Sequence, residues 1–156
     1  MISKLKSAAA LSGILQKLRS KGRKVVFTNG CFDILHPGHV SYLERASRMG
    51  DVLVIGLNSD RSVKAIKGRG RPINMERDRA YVLSALSFVD YVVSFGEDTP
   101  ERIIRKLKPD VLVKGGDWKP KEIVGGDFVR SRGGRVAGIK FLKGYSTSSL
   151  IEKMKR

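Results

Sequence analysis

The chain has 156 residues with 31 Lys+Arg against 15 Asp+Glu, a formal charge of +16, and only two His, one Cys and one Trp. That length fits one domain with its own buried core. One cysteine excludes an internal disulfide framework or a cysteine-rich zinc site, which favours a reducing, cytoplasmic setting. No uninterrupted apolar run reaches the roughly 18 residues a membrane helix needs, so no membrane partner is expected.

The charge is spread along the chain. Residues 1–50 hold nine basic and two acidic groups, 51–100 seven of each, and 101–156 fifteen and six. Such a surface suits polyanions, phosphorylated substrates or plain solubility, and charge alone does not choose among them.

Residues 1–22 read as an N-terminal amphipathic helix. Leu11, Ile14, Leu15 and Leu18 recur at helical spacing, while Gln16, Lys17 and Arg19 interrupt what would otherwise resemble a signal peptide. Residues 24–28 (KVVFT) form a first strand, followed by a Gly- and Pro-containing loop. A helix is predicted over 38–49, with Val40, Leu43 and Ala46 on one face and Gly50 as its terminator. Residues 51–57 form a second strand, and Asn58-Ser59-Asp60 offers capping chemistry for the next helix. Residues 67–75 (KGRGRPINM) read as a mobile basic loop, because two glycines and a proline oppose both helix and strand. A helix over 76–86 and a strand over 91–95 follow. Thr99 as cap, Pro100 at the first position and Glu101 in the first turn open another helix. Strands over 110–113 and 135–141 and a helix from 146 onward complete the chain.

Short apolar strands alternating with helices imply a Rossmann-like, doubly wound α/β fold: a five-stranded parallel sheet with helices on both faces. The expected organisation is a single domain over 1–156, with residues 24–156 as the catalytic core. Such sheets bind ligands beyond the carboxyl ends of their strands, near the point where strand order reverses.

The first strand end reads TNGCFDILHPGH, residues 28–39, and holds both histidines. Gly30 permits close backbone approach, and free N–H groups at a helix start attract a phosphate. His36 and His39 at that start can both donate to one phosphate, which suits a transition state gathering charge on an α-phosphoryl group. A metal-binding pair, or two histidines serving as a helix cap, are the alternatives.

The Gly-x-Phe-Asp-x-x-His-x-Gly-His pattern on a strand–loop–helix resembles the cytidylyltransferase-type nucleotidylyltransferase superfamily. Its members transfer a nucleoside monophosphate from a triphosphate to a phosphate-bearing acceptor and release pyrophosphate. Residues 144–149 (GYSTSS) resemble the family's second, Ser/Thr-rich element, with Tyr145 in place of an aliphatic residue; alone, they would read as an N-cap. Asn58-Ser59-Asp60, Lys64, the 67–74 wording and Val113-Lys-Gly-Gly-Asp-Trp118 narrow the resemblance to the D-glycero-β-D-manno-heptose 1-phosphate adenylyltransferases of ADP-heptose synthesis. The resemblance runs from about residue 24 to the end.

It implies AMP transfer from ATP to a sugar 1-phosphate, with Mg2+ carried by the triphosphate and no metal site built by the protein. His36, His39, Lys64 and Lys67 are then the catalytic set. The nucleotide falls to Asn29, Gly30, Cys31, Phe32, Gly38, Arg79, Lys114, Gly115, Asp117, Trp118, Tyr145, Ser146, Thr147 and Ser148. Asp33, Asp60 and Arg71 fall on the sugar-phosphate side, although helix and loop capping explains the two aspartates equally well. Cys31 is not required as a nucleophile, because a phosphate acceptor displaces pyrophosphate directly. A cytoplasmic homodimer is implied. The close alternatives are the same chemistry on glycerol 3-phosphate with CTP, or on FMN with ATP. A basic nucleic-acid-binding protein is the remote one; no zinc-finger spacing, helix-turn-helix or aromatic RNA-binding strand motif supports it, so no nucleic-acid partner is expected.

Overall fold

A computed structural model describes residues 2–116 and 118–156. Its strands are β1 (Val25–Gly30), β2 (Val52–Asn58), β3 (Tyr91–Phe95), β4 (Val111–Gly115) and β5 (Arg135–Ile139). They form one parallel sheet in the order β3-β2-β1-β4-β5, so the chain starts in the middle and winds outward both ways. This is the doubly wound Rossmann-like arrangement the alternating pattern implied.

Period-two alternation assigns each strand residue to a face. Val26, Leu53, Ile55, Leu57 and Val92 pack on one side with Leu43 and Ala46 of α2 (Pro37–Ser47) and Leu83 of α4 (Glu76–Ser84). Val25, Phe27, Val52, Val54 and Val93 pack on the other with Leu11 and Leu15 of α1 (Ala8–Ser20) and Ile104 of α5 (Glu101–Leu107). Val129 of α6 (Gly126–Ser131) joins that second face. The aspartates before β2, β3 and β4 accept neighbouring strand N–H groups: Asp51 from Lys24, Asp90 from Leu53 and Asp110 from Val25, at 2.7–2.8 Å.

The switch point is a physical split. β1 pairs with β2 along its whole length, from Val25↔Val52 to Gly30↔Leu57. Its pairing with β4 is confined to Val26↔Val111 and Phe27↔Leu112, while β4 continues with β5 as far as Gly115↔Ile139. Beyond Phe27 the two central strands part. Tyr42 of α2 enters the gap, its hydroxyl bonded to Thr28 and donating to the Val113 carbonyl at 3.4 Å.

Several expected boundaries move. β1 and β4 run two residues further, to Gly30 and Gly115, because the neighbouring strands supply partners there. β5 stops at Ile139, α2 at Ser47 and α4 at Ser84. Thr99 does not cap α5: Pro100 occupies the cap position, with no side-chain hydrogen bond. The N-terminal helix is shorter than 1–22. A 3-10 turn (Ile2–Lys4) precedes it, and Leu5 bridges Val92 on the open edge of β3. The six-residue α6 and the 3-10 turn Pro120–Glu122 have no sequence-level counterpart. α3 (Asp60–Lys67) and α7 (Thr147–Met154) start where the Ser59 and Ser146 caps place them.

Candidate active site

The parted ends of β1 and β4 open into a cavity of about 620 Å3 that extends along the C-terminal edge of the sheet. Its floor is the turn after β1. A Cβ on Gly30 would come within 2.8 Å of the Phe32 ring, so only glycine admits that ring. Phe32 itself has φ +47°, a left-handed conformation that a bulky residue adopts only when its surroundings hold it there. The ring is buried and meets His39 edge-on, with centroids 5.4 Å apart.

His36 is the N-cap of α2, and its Nδ1 accepts the His39 N–H at 3.4 Å. An accepting Nδ1 carries no proton, so the remaining hydrogen sits on Nε2. The two imidazoles stack with centroids 3.8 Å apart. Burial lowers the pKa of His36. Burial first, and then the neighbouring His36, pulls His39 down to about 4, against a smaller opposing effect of the Ile34 backbone. Both rings are therefore neutral donors near pH 7. The Nδ1 of His39 is buried without a hydrogen-bond partner among the described residues. Gly38 makes the stack possible, since a Cβ there would lie 2.9 Å from the His36 ring.

A second helix start faces the same cavity. Ser146 caps α7 by accepting the Ser149 N–H at 3.0 Å, and Thr147 donates to the Ile34 carbonyl at 3.2 Å, tying α7 to the histidine loop. Tyr145 lies parallel to His36 at 6.1 Å. Two helix N-termini lining one cavity make it receptive to anions. Lys67, Arg71 and Lys114 add positive charge. Burial lowers the Lys114 pKa, and its Nζ lies 5.7 Å from the Trp118 ring centroid.

The structure brings most of the expected residues to this cavity: Asn29 to Asp33, His36, His39, Lys67, Arg71, Lys114, Gly115, Trp118 and Tyr145 to Ser148. It places others elsewhere. Arg79 does not line it; its guanidinium is buried and donates to the carbonyls of Asn74, Cys31 and Asn58 and to the Asp60 carboxylate at 2.7–2.9 Å. In this structure the side chain is an internal brace. Asp60 is also off the cavity, accepting Arg79 and the Glu76 N–H, so the capping alternative describes it. Lys64 is exposed on α3 away from the lining, because α3 turns it outward. Gly38 is buried within α2, off the lining and packed against the His36 ring.

Asp33 lines the cavity but is committed to the basic loop. It accepts Arg71 Nε at 2.6 Å and the N–H groups of Ile73 and Asn74 at 2.8–2.9 Å. Burial pushes its pKa up, but those N–H donors and Arg71 outweigh burial and hold it below the ordinary carboxylate value. The 67–75 loop is therefore pinned at its second half. Burial raises the Cys31 thiol pKa, against the opposing pull of Lys67, Arg79 and Arg71, and so disfavours the thiolate. Asp117 lies outside the described residues.

Sequence reasoning missed Tyr42, Asn58, Ile66, Asp98, Thr99, Pro100, Val124 and Phe141 in the lining. Asn58 ends β2 and residues 98–100 follow β3, where a parallel sheet places its site residues, and that signal was available. Among the described residues no three His, Cys, Asp or Glu side chains are grouped to hold a metal ion, and no helix is long and apolar enough to cross a membrane.

Comparisons with known proteins bear on the family and the fold. The chain is 54% identical over 154 residues to the "Bifunctional protein HldE" of Geobacter metallireducens, covering 99% of this chain and 31% of that protein. Against the HldE protein of Campylobacter concisus the identity is 59%, over 97% of this chain and 31% of that one. The chain thus spans about a third of the curated relatives it matches. A lipopolysaccharide core biosynthesis protein from Thermoplasma volcanium superposes with a TM-score of 0.61 at 28% identity, covering 80% of this chain and 100% of the other. A pantoate-beta-alanine ligase from Francisella tularensis shares the fold at 12% identity, TM-score 0.62, covering 97% and 76%. The cytidylyltransferase-like family model matches residues 27–153, from inside β1 to near the end of α7, and so takes in every element that lines the cavity: the chain belongs to the cytidylyltransferase-like family.

Proposed function

We propose that the chain transfers AMP from ATP to D-glycero-β-D-manno-heptose 1-phosphate, giving ADP-heptose and pyrophosphate. The observation that carries this reading is the neutral, stacked His36–His39 pair at one helix start, sharing a cavity with a second, serine-capped helix start. An acceptor phosphate oxygen attacks the α-phosphorus in line, the bond to the β-phosphate oxygen breaks, and pyrophosphate leaves. The nucleophile is already an anion, so no protein base is needed, and catalysis is positioning plus charge stabilisation. His36 and His39 donate to the α-phosphoryl oxygens as charge gathers there. The α7 start and Lys114 hold the departing phosphates, and Trp118, Phe141 and Tyr145 give the base an aromatic wall. Lys67 and Arg71 bring the acceptor phosphate close.

ATP enters as its Mg2+ complex. Among the described residues no carboxylate cluster is offered to that ion, and of the two lining carboxylates among them Asp33 is fully engaged by Arg71, Ile73 and Asn74. In this reading magnesium is part of the substrate, held by triphosphate oxygens and water. The heptose acceptor rests on the sequence resemblance and on the HldE relatives. In this reading the reaction runs in the cytoplasm, and the exposed Leu5 and Tyr81 flank a groove that suits the homodimer the resemblance implies.

The test is pyrophosphate release with paired substrates: ATP with the heptose 1-phosphate, CTP with glycerol 3-phosphate, and ATP with FMN. Turnover confined to the first pair is expected. Turnover only with either of the other pairs moves the chain to another branch of the family.

A further inference from the structure

The cavity has two chemically different ends. At the β4–β5 end stand Lys114, Trp118, Phe141 and Tyr145; at the β2–β3 end stand Asn58, Ile66, Asp98, Thr99 and Pro100. The residues after β3 form no part of the motif that identified the site.

Among the described residues two carboxylates line the cavity, and they differ in one decisive way. Asp33 is saturated by Arg71 and two backbone N–H groups. Asp98 is exposed and has no ion pair or hydrogen bond among the described residues, while its neighbour Glu97 is already paired with Arg102. A free carboxylate repels phosphate, so the lobe beside it takes a part of the acceptor without negative charge. A carboxylate only accepts hydrogen bonds, so its complement is a donor. An ammonium group fits poorly in a cavity that already holds Lys67, Arg71 and Lys114. Hydroxyl groups fit, and the exposed Thr99 hydroxyl of this end is a neutral partner for them, whereas the buried Asn58 amide already donates to Ser62.

We propose that Asp98, seconded by Thr99, reads the hydroxyls of the acceptor and selects a polyhydroxylated phosphate ester. This inference rests on the adenylyltransferase reading and adds a specificity residue to it. Asp98 touches no reacting atom in this scheme; it discriminates among acceptors by how well their hydroxyls satisfy it. A site built to bond a hydroxyl rejects the analogue that lacks it, because the protein group is then left unpaired.

The experiment uses the full chain and its Asp98→Ala and Asp98→Asn variants, with ATP and either the heptose 1-phosphate or analogues deoxygenated at one ring or side-chain position at a time. Hydrogen bonds to a charged group translate into a rise of about 10- to 100-fold in the acceptor KM for Asp98→Ala, with the ATP KM unchanged and Asp98→Asn in between. One deoxy analogue is expected to lose the same factor on the wild type and nothing further on Asp98→Ala. An unchanged acceptor KM, an equal loss for every analogue, or an altered Mg2+ dependence in place of an acceptor effect overturns the proposal. A wild-type protein that releases no pyrophosphate with ATP and heptose 1-phosphate overturns the adenylyltransferase reading itself, which separates the two failures. Because Asp98 is exposed and unpartnered, the melting temperature of both variants should match the wild type.

Discussion

Arg79 offers a sharp test of how the site is held together. It is 2% exposed, and its guanidinium joins four segments: Cys31 in the phosphate loop, Asn58 at the end of β2, Asp60 at the start of α3 and Asn74 at the end of the basic loop. In Arg79→Met the methylene stem is largely replaced, but three carbonyls lose their donor and Asp60 loses its cation. Leaving three inward-facing carbonyls without their donor, at about 1 kcal/mol or a little more each, costs about 3–5 kcal/mol. The Asp60 carboxylate is 40% exposed and water compensates it, so it adds little to that loss. In a chain of this size each kcal/mol lowers Tm by about 2–4 °C, so the fall should be about 6–20 °C. Arg79→Lys, whose single ammonium cannot reproduce the fork, should fall by an intermediate amount. Thermal and urea unfolding without ligand, together with ATP titrations, are the assays. A Tm within about 2 °C of wild type, combined with a raised KM for ATP, would refute the brace and return Arg79 to the triphosphate.

Further outcomes follow from the same geometry. The unfolded chain binds a proton at His39 near the ordinary histidine pKa of about 6.5, whereas the folded chain resists it down to about 4. Stability is therefore full above about pH 6.5 and declines as pH falls towards 4, by up to about 3 kcal/mol at 1.36 kcal/mol per pKa unit. Urea unfolding at pH 7 and pH 4.5 should show that slope in the wild type and less of it in His39→Asn; equal slopes contradict the burial argument. His36→Asn and His39→Asn should each lower kcat by about 10²–10³ while ATP binding, read by calorimetry, changes little. Asp33→Asn should release the 67–75 loop, speeding tryptic cleavage at Lys67 and Arg69 and lowering kcat; cleavage at the wild-type rate would show that other contacts pin the loop. Cys31→Ser should keep kcat within a few-fold, since direct displacement makes no use of the thiol; loss of activity with a covalent adduct would point to a nucleophile.

Much of this architecture was legible because each strand is a short apolar run punctuated by a cap or a glycine. Ser59 and Ser146 fixed helix starts through local hydrogen bonding, and local chemistry is what a sequence displays. The C-terminal limits of β1 and β4 were not legible, because Asn29, Gly30, Lys114 and Gly115 are strand only through pairing with β2 and β5. α6 was hidden by its six-residue length. In the site, the His36–His39 loop was legible through the whole Gly-x-Phe-Asp-x-x-His-x-Gly-His pattern on a strand–loop–helix, because the spacing of the two histidines alone fits a metal pair or a helix cap equally well. The role of Arg79 could not. Its partners lie 5 to 48 positions away, and whether an arginine turns inward to carbonyls or outward to a phosphate is decided by packing. Asp98 was invisible for a related reason: nothing local marks a carboxylate as free.

The most direct measurement follows the α-phosphate. With ATP labelled at that position and heptose 1-phosphate present, label should move into a sugar nucleotide one-for-one with pyrophosphate released, and His36→Asn should suppress both together. Label that stays in ATP, or that appears only as free AMP, would contradict transfer to the sugar phosphate.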